Sequence, residues 1–480
     1  MFNLILRPEI TITPQEDNLI VASPGRKLTF HEPKSGLKTA LNYLKQGDKT
    51  FSQLQDFVTE TDGEEKGELF AAYLERLTEL GWIKHSVLPL ATTIPMTGNY
   101  NFYYPEIDNW PEICFTLSRF AYLHQVNGEM LLESPLSHSK IILSDWRGSA
   151  LIAKLSQPQT VTSLISGIPD ITVEIGQNFL CLLLATEMLT YEISSTSSLV
   201  EEKEEEEEEA WEVLEEEKPP LVYWEFHDLL FHSRSRNGRH DHPLGGTFRF
   251  KGKTDPLPVV KPLMNDKVIK LPQPNLEDLI ANDKPLTEVL ESRQSIRKYD
   301  EKPISKQDLG KFLYRCLRVK KIFDTEMGEL SRRPYPGGGA IYELEIYPVV
   351  NQCEGLEKGI YQYHPLDHVF CPLSQWSEEA EALITDAWLA NGQQVKPQVL
   401  LVITARFGRM FWKYQSMAYA AILKHVGVLY QTFYLVATSM NLAPCAIGAG
   451  NADLFAIATD INYYEESSVG EFMLGSVEKK

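Results

Sequence analysis

Apolar and polar positions in the first 95 residues follow two periods, one after the other. Three runs alternate between apolar and polar residues and are bounded by turn-forming residues, which predicts β-strands: NLILRPEITITP, NLIVASP and KLTFHEP. Apolar residues then recur at helical spacing, first at positions 37, 41 and 44 and later at 70, 74, 77 and 80. Gly81 follows as a helix stop, and Trp82 begins a strand. The order of strands, helices and a closing strand outlines a winged helix.

The next hundred residues, 96–198, repeat this plan. SRFAYLHQVNG, EMLLESPLS and KIILSDW alternate like strands, whereas GSALIAKLS, TVTSLIS and IGQNFLCLLLATEML have the pattern of helices. Thr50 and Thr160 stand at equivalent places, each before a helical run, where a threonine side chain caps a helix. The sequence therefore predicts two winged-helix-like modules, at residues 1–95 and 96–198.

Winged helices often bind DNA, so the side chains on the helix that would enter a groove are informative. Gln53, Gln55 and Asp56 occupy that helix, with few basic residues nearby, and no nucleic-acid partner is predicted. The same outline resembles the peptide-clamp domain of peptide-modifying enzymes, which adds a leader peptide as a β-strand to an exposed sheet edge. A purely structural or dimerising pair of domains is the alternative.

An acidic run separates these modules from the rest of the chain. Residues 201–217, EEKEEEEEEAWEVLEEE, hold twelve glutamates and one lysine, and so carry most of the net charge of −20. The run predicts a solvated linker at residues 199–220. The alternative is a negative surface that steers a basic peptide.

Length and composition bound the class of protein. A chain of 480 residues predicts two to four domains, and a hydrophobic content of 43% is ample for their cores. The first seven residues lack a basic segment and a cleavage site, and the longest apolar runs have the length of core helices, so neither secretion nor a membrane partner is expected. Six cysteines without a CxxC motif indicate free thiols in a reducing compartment, and we expect a cytoplasmic protein.

Four histidines between residues 227 and 242 are candidate metal ligands. His240 and His242 could offer two ligands from one strand. Several arginines in the same segment fit an anionic partner or a dimer contact better. No metal site is predicted.

The candidate catalytic and cofactor-binding residues lie in the last 200 residues. Arg293, Ser295 and Arg297 alternate, so an extended or turn-like backbone places them on one side, where two guanidinium groups and a hydroxyl suit a phosphate. Lys413 and Tyr414 place an amine beside a phenol at the predicted start of a helix. A glycine-rich PGGGA lies between the two motifs. Together they predict a flavin site with its own acid/base pair.

The motif order of residues 285–480 resembles the nitroreductase-like flavoproteins, a family with an α+β fold. RRPYPGGGAIYELEIYPVV and GIYQYHPLDHVF resemble the azoline dehydrogenase branch, and upstream YWEFHDLLFHSRSRNGRHDHPLGGTFRF resembles a lead-in of the oxidases that finish cyanobactin-type peptides. The resemblance implies an FMN-dependent homodimeric domain at residues 221–480. It also implies that the domain oxidises thiazolines or oxazolines of a heterocyclised precursor peptide to azoles, with O2 as the electron acceptor.

The resemblance also assigns roles to residues of this chain. It places Arg293, Ser295 and Arg297 at the FMN phosphate, and Lys413 and Tyr414 at the substrate proton. Glycines let a main chain approach the flavin ring closely. The candidates for that approach are Pro336, Gly337, Gly338 and Gly339, with Gly448 and Gly450 as a second group. A helix stop is an equal interpretation of the second group. Should Lys413 and Tyr414 not act, the base is sought among His364, His368 and His425.

Two other functions stay open. A nitroreductase-type enzyme using NAD(P)H is disfavoured because no GxGxxG motif follows a strand. A flavin-free scaffold, in which the clamps carry the function, is the third class.

Overall fold

The computed structural model describes residues 2–105, 107, 109–193, 216–243, 245–326 and 328–477. The chain divides into two compact units, Met1–Asp241 and His242–Lys480. Residues 194–215, which hold most of the predicted acidic linker, lie outside the described residues.

The first module of unit 1 has the predicted order of strands and helices. Its strands are β1 (Asn3–Leu6), β2 (Thr11–Gln15), β3 (Asn18–Ser23) and β4 (Arg26–His31), and its helices are α1 (Ser35–Gln46), α2 (Phe51–Asp62) and α3 (Glu64–Glu79). Two further strands, β5 (Ile83–Val87) and β6 (Ala91–Pro95), close it. Thr50 caps α2 through a capping box with Gln53, as the sequence predicts. Leu41, Leu54 and Leu74 from the three helices share one buried core.

The second module repeats the plan. Its strands are β7 (Ile113–Leu117), β8 (Tyr122–Val126), β9 (Glu129–Glu133), β10 (Ser139–Leu143) and β11 (Leu189–Ile193), and its helices are α4 (Trp146–Lys154), α5 (Val161–Ile165) and α6 (Val173–Leu184). The side chain of Thr160 accepts a hydrogen bond from the Ser163 amide and caps α5. The prediction of an α+β chain with winged-helix-like modules before a larger domain is confirmed.

One sheet runs through both modules. Its strand order is β1-β5-β6-β10-β9-β8, and the junction is the antiparallel pair of β6 and β10. Strand β6 ends at the predicted boundary between residues 95 and 96 and pairs with β10 of the second module, so the sheet continues across that boundary. A local pattern cannot reveal this pairing, because β6 and β10 lie more than 40 residues apart.

Residues 216–241 pack within unit 1. Helix α7 (Phe226–Ser235) buries Leu229 against Phe120 and Leu136. Glu216, one of the two described residues of the acidic run, is buried and accepts hydrogen bonds from the Ser118 hydroxyl and the Arg119 amide. The contacts therefore place residues 221–241 with the first unit, although the sequence analysis assigned them to the C-terminal domain.

Unit 2 is built on a seven-stranded antiparallel sheet with the order β12-β17-β16-β15-β18-β20-β19. These strands are β12 (Ile269–Lys270), β15 (Leu344–Val350), β16 (Gly359–His364), β17 (Val369–Gln375), β18 (Val399–Arg406), β19 (Leu442–Ile447) and β20 (Glu466–Ser476), and a separate hairpin joins β13 (Lys321–Thr325) to β14 (Gly328–Arg332). The helices are α8 (Leu276–Asn282), α9 (Leu286–Ser292), α10 (Lys306–Leu317), α11 (Glu378–Ala390), α12 (Phe407–Lys413), α13 (Ala418–Ser439) and α14 (Ala452–Thr459).

Helix α13 is the central helix of unit 2. Its residues Leu429 and Phe433 pack with Phe312 of α10 and Phe472 of β20 in one core cluster, while α11 and α14 contribute to a second cluster. By length and composition α13 could cross a membrane, but 39% of its most apolar window is buried inside the unit, and core helices pass the same test. Two sets of candidate residues contact this helix.

Candidate functional site

Lys413 and Tyr414 stand at the end of α12, four residues before α13 begins. The sequence analysis placed the pair at the start of a helix, which is wrong because α12 is a separate short helix. The segment 246–248 lies against this helix end. The amides of Thr247 and Phe248 donate to the Lys413 carbonyl at 2.9 and 3.2 Å, and Gly246 forms a β-bridge with Tyr414.

Two aromatic rings lie near the Lys413 amine. Its Nζ lies 5.7 Å from the ring centre of Phe248 and 5.3 Å from that of Tyr414, distances at which a cation is attracted to an aromatic face. Phe248 also packs edge-on against Trp412. Phe248 has a φ of 49°, in the left-handed region that a bulky residue rarely adopts. Its surroundings therefore hold this strained residue in place beside the amine.

The glycine loop lies directly against Lys413 and Tyr414. Residues Gly338–Ala340 form a short 3-10 turn in which Gly339 has a φ of 65°. A Cβ atom built on Gly339 would lie 2.6 Å from Lys413 Nζ and 2.8 Å from the Tyr414 hydroxyl. The loop can approach this closely only because that atom is missing. The structure thus brings two separately predicted motifs into contact.

The loop is held from its other side by His425 of α13. The Gly338 amide donates to His425 Nε2 at 2.8 Å, and His425 Nδ1 lies 2.7 Å from a carboxylate oxygen of Glu343. Both side chains are buried. The sequence analysis named His425 only as a substitute base and did not consider Glu343, because no local pattern links two residues 82 positions apart.

A group of buried charges lies at the same end of the sheet. Arg406 pairs with Glu345 at 3.3 Å, and Lys261 pairs with Glu466 at 2.6 Å. Burial raises the pKa of Glu345, although nearby Arg333 and Arg406 oppose this. Burial also lowers the pKa of Arg409 to about 10, with Arg406 and Arg333 adding to the effect. The first pair joins the end of β18 to the start of β15, and the second joins the start of β20 to the segment that contains Lys261.

Arg293, Ser295 and Arg297 gather around α13 and β19. The Arg293 guanidinium lies 5.1 Å from the ring centre of Tyr434, whose hydroxyl is 2.7 Å from Ser295 Oγ. Burial raises the pKa of the Cys445 thiol, and Arg297 beside it acts in the opposite direction. All three candidate residues are half-buried, and the Ile296 amide between them donates to the Pro444 carbonyl.

Pro336 and Gly337 complete the first glycine group, and Gly448 and Gly450 form the second. A Cβ on Gly337 would lie 3.1 Å from the Tyr342 ring, so this residue also allows close packing. Gly448 and Gly450 are exposed and follow strand β19. The interpretation of this pair as a helix stop is therefore wrong, because β19 separates it from α13. A Cβ on Gly450 would lie 2.1 Å from the Glu471 carboxylate.

The two groups of candidate residues contact α13 at separate places. The glycine loop meets it at His425, and the arginine group meets it at Tyr434, nine residues later. Nine residues correspond to about 14 Å along the axis and about two and a half turns, so the two contacts lie on opposite sides of the helix.

Unit 1 carries two grooves beside helix α3. One, of about 380 Å³, has Arg26, Lys27 and Arg76 beside Leu28, Leu80 and Trp82. It borders β4, which pairs only with β3 in the described part of the chain. The second groove, of about 620 Å³, has several aromatic residues in its lining, among them Phe2, Phe51, Phe102 and Tyr104. Strand addition of a peptide uses an exposed sheet edge, with neighbouring pockets for alternate side chains.

Three family models match successive parts of the chain. The model described as the ThcOx helix turn helix domain matches residues 1–104, and that of the cyanobactin oxidase ThcOx matches residues 115–241. The nitroreductase family model matches residues 290–475. The resemblance to cyanobactin-type oxidases with a nitroreductase-like domain is thereby confirmed.

Two curated proteins are similar to parts of the chain. A Methanocaldococcus jannaschii protein provisionally named nitroreductase MJ1384 is 28% identical over 176 residues, which are 37% of this chain and 82% of the relative. The microcin B17-processing protein McbC of Escherichia coli is 31% identical over 136 residues, which are 27% of this chain. This chain spans about half of McbC, 48% of its length.

Two solved structures are among those similar to part of this chain. A nitroreductase-type protein from Anabaena variabilis is 19% identical with a TM-score of 0.37, and the match covers 51% of this chain and 45% of that one. The E. coli microcin synthetase McbBCD complex with truncated pro-MccB17 bound is 19% identical with a TM-score of 0.34, covering 51% of this chain and 85% of that one.

Proposed function

Because residues 290–475 match the nitroreductase family and the preceding residues match cyanobactin oxidase domains, we propose that this oxidoreductase dehydrogenates azolines. Its substrates would be thiazoline or oxazoline rings in a ribosomally made peptide, its products the aromatic azoles, its cofactor FMN, and its electron acceptor O2. The observation that carries the proposal is the contact of Lys413 and Tyr414 with the Gly339 loop. An amine and a phenol, two groups that can take up a proton when deprotonated, thereby lie against a backbone segment that carries no Cβ.

Oxidation of an azoline removes a proton from one ring carbon and a hydride equivalent from its neighbour. FMN, when bound, supplies the acceptor for the hydride equivalent. The chain must supply the base, which is either Lys413 as a neutral amine or Tyr414 as a phenolate. The segment 246–248 contacts this pair through backbone hydrogen bonds to the Lys413 carbonyl and through the Phe248 ring beside the amine.

The residues of the arginine group fit a phosphate. Arg293 and Arg297 provide positive charge and planar donors, and Ser295 provides a hydroxyl, which together match the oxygens of a phosphate ester. All three are half-buried, so their hydrogen bonds to an anion are less exposed to competing water. We assign the FMN phosphate to this group and the flavin ring to the glycine loop.

A homodimer accounts for the positions of the two groups. They contact opposite sides of α13, so one flavin would take its phosphate site and its acid/base pair from different copies of the chain. An outward face of α13 carries Tyr419 and Leu423, each about 40% exposed, followed by Gly427. An apolar helix face of this kind is suited to packing against a second copy.

The modules of unit 1 would hold the leader of the substrate. The free edge of β4 offers backbone groups for strand addition, and the neighbouring groove offers Leu28, Leu80 and Trp82 for apolar side chains. The basic residues Arg26 and Lys27 favour a peptide with acidic residues. A structural role for the modules is the alternative.

A nitroreductase using NAD(P)H is the second candidate, because the similarity to MJ1384 covers 82% of that relative. The spectrum of the purified protein and two anaerobic additions separate the possibilities. A flavin spectrum supports the enzyme, whereas a colourless, folded protein supports the scaffold. Bleaching of the flavin by a thiazoline peptide but not by NAD(P)H supports the oxidase. Prompt bleaching by NAD(P)H alone supports the reductase.

A further inference from the structure

The hydrogen bonds of His425 determine which of its two ring nitrogens carries the hydrogen. A backbone N–H can only donate, so Nε2 must accept the hydrogen of the Gly338 amide at 2.8 Å. Nδ1 then carries the ring hydrogen and donates it to the Glu343 carboxylate at 2.7 Å. Both ring nitrogens are occupied, and the ring is neutral in this arrangement. His425 therefore has no free lone pair with which to take a substrate proton.

The surroundings keep this arrangement rigid. His425 is 8% exposed and Glu343 is 1% exposed, and they belong to α13 and to the residues just before β15. A Cβ on Gly338 would lie 3.0 Å from Nε2, so a side chain there would push the loop and the imidazole apart by a few tenths of an ångström. The next residue, Gly339, is the one that meets Lys413 and Tyr414.

We propose that Glu343 and His425 are positioning residues that fix the glycine loop against Lys413 and Tyr414. Glu343 orients the imidazole and selects its tautomer, and the imidazole anchors the loop through the Gly338 amide. The effect on turnover rests on the proposed function, because it assumes that Lys413 and Tyr414 act on the substrate. The anchoring of the loop does not depend on that assumption.

Two substitutions of His425 separate anchoring from packing. In His425→Gln the side-chain oxygen reaches the place of Nε2 and can still accept from Gly338. In His425→Asn the shorter side chain reaches only the place of Nδ1, so the Gly338 amide loses its acceptor. The matched control is His368→Asn. His368 is another buried histidine of unit 2, and it contacts Tyr363 and the Pro272 carbonyl instead of the loop.

Hydrogen–deuterium exchange of the loop amides in the substrate-free protein is the first measurement. We expect the Gly338 amide to exchange at least tenfold faster in His425→Asn, and near the wild-type rate in His425→Gln and in His368→Asn. Turnover of a thiazoline peptide is the second measurement. A displacement of the loop by about 1 Å can cost on the order of 100-fold in rate. The fall should appear in kcat, with KM nearly unchanged, in His425→Asn but not in His425→Gln.

Unchanged Gly338 exchange in His425→Asn would overturn the proposal, as would equal exchange in the Asn and Gln variants. Faster exchange of Gly338 with unchanged turnover would keep the anchor and remove the proposed role of the loop in catalysis. Failure of the wild-type protein to oxidise azolines would overturn the proposed function instead, and the exchange result would stand by itself.

Discussion

Replacing Gly339 by alanine tests the contact between the glycine loop and the Lys413–Tyr414 pair. The new Cβ would lie 2.6 Å from Lys413 Nζ and 2.8 Å from the Tyr414 hydroxyl, so both groups must move by several tenths of an ångström or more. The left-handed backbone, with φ at 65°, adds about 1–2 kcal/mol of destabilisation for any residue with a Cβ. Each kcal/mol lowers the Tm of a unit of this size by about 2–4 °C.

The matched control is Gly355→Ala. Gly355 also has a left-handed backbone, with φ at 83°, but a Cβ there would find its nearest neighbour, a carbon of Lys306, at 3.7 Å. Both variants should therefore lose the stability that the left-handed backbone costs, and Gly339→Ala should lose at least as much as the control in thermal unfolding. Only Gly339→Ala should also lose azoline oxidation, on the order of 100-fold, because displaced reacting groups lose their alignment. A Gly339→Ala enzyme with the stability loss of the control and wild-type turnover would refute the reasoning.

Three further predictions concern the arginine group, the groove beside β4 and the buried Glu471. Arg293→Ala and Arg297→Ala should each weaken FMN binding by about 1.5–3 kcal/mol, because each removes a charge-assisted hydrogen bond. Absorbance titration of the apoprotein with FMN measures this loss. Full FMN occupancy in both variants would mean that the phosphate binds elsewhere. Leu28→Glu, which puts a charge into the groove beside β4, should weaken turnover of leader-bearing peptides more than of leaderless ones; equal effects would leave the modules structural. Burial raises the pKa of Glu471, so its contribution to stability is complete at low pH and is lost as the pH rises through that raised pKa. Glu471→Gln should therefore stabilise the protein against urea at pH 8 more than at pH 4. The opposite order would contradict a pKa raised by burial.

Local features were predictable from the sequence because their causes are local. Thr50 and Thr160 cap their helices through residues three positions away, and the apolar stripes of α1 and α3 appear directly in the spacing of leucines. The two modules of unit 1 follow from such short-range patterns. The sheet that joins them does not, because the register of β6 against β10 is set by packing across the module boundary.

In the candidate site, too, the single motifs could be predicted from the sequence, whereas the contacts between them could not. The glycine loop and the Lys413–Tyr414 pair were recognisable as separate motifs, each from its own residue types. Their contact depends on the fold of unit 2, and so does the anchor formed by Glu343 and His425. The contact of segment 246–248 with Lys413 could not be predicted either, because it consists of backbone hydrogen bonds to the Lys413 carbonyl, which no side-chain pattern reveals.

The most direct test of the central claim is anaerobic reduction of the bound flavin by a thiazoline peptide, with wild-type protein compared with Tyr414→Phe and Lys413→Ala. General-base catalysis is typically worth a factor of about 10²–10⁴. We predict that the peptide bleaches the wild-type flavin, that at least one variant is slower by that factor, and that dithionite reduces all three proteins equally. Wild-type bleaching rates in both variants would contradict the assignment of the acid/base pair. A wild-type flavin that the peptide cannot reduce would contradict azoline oxidation itself.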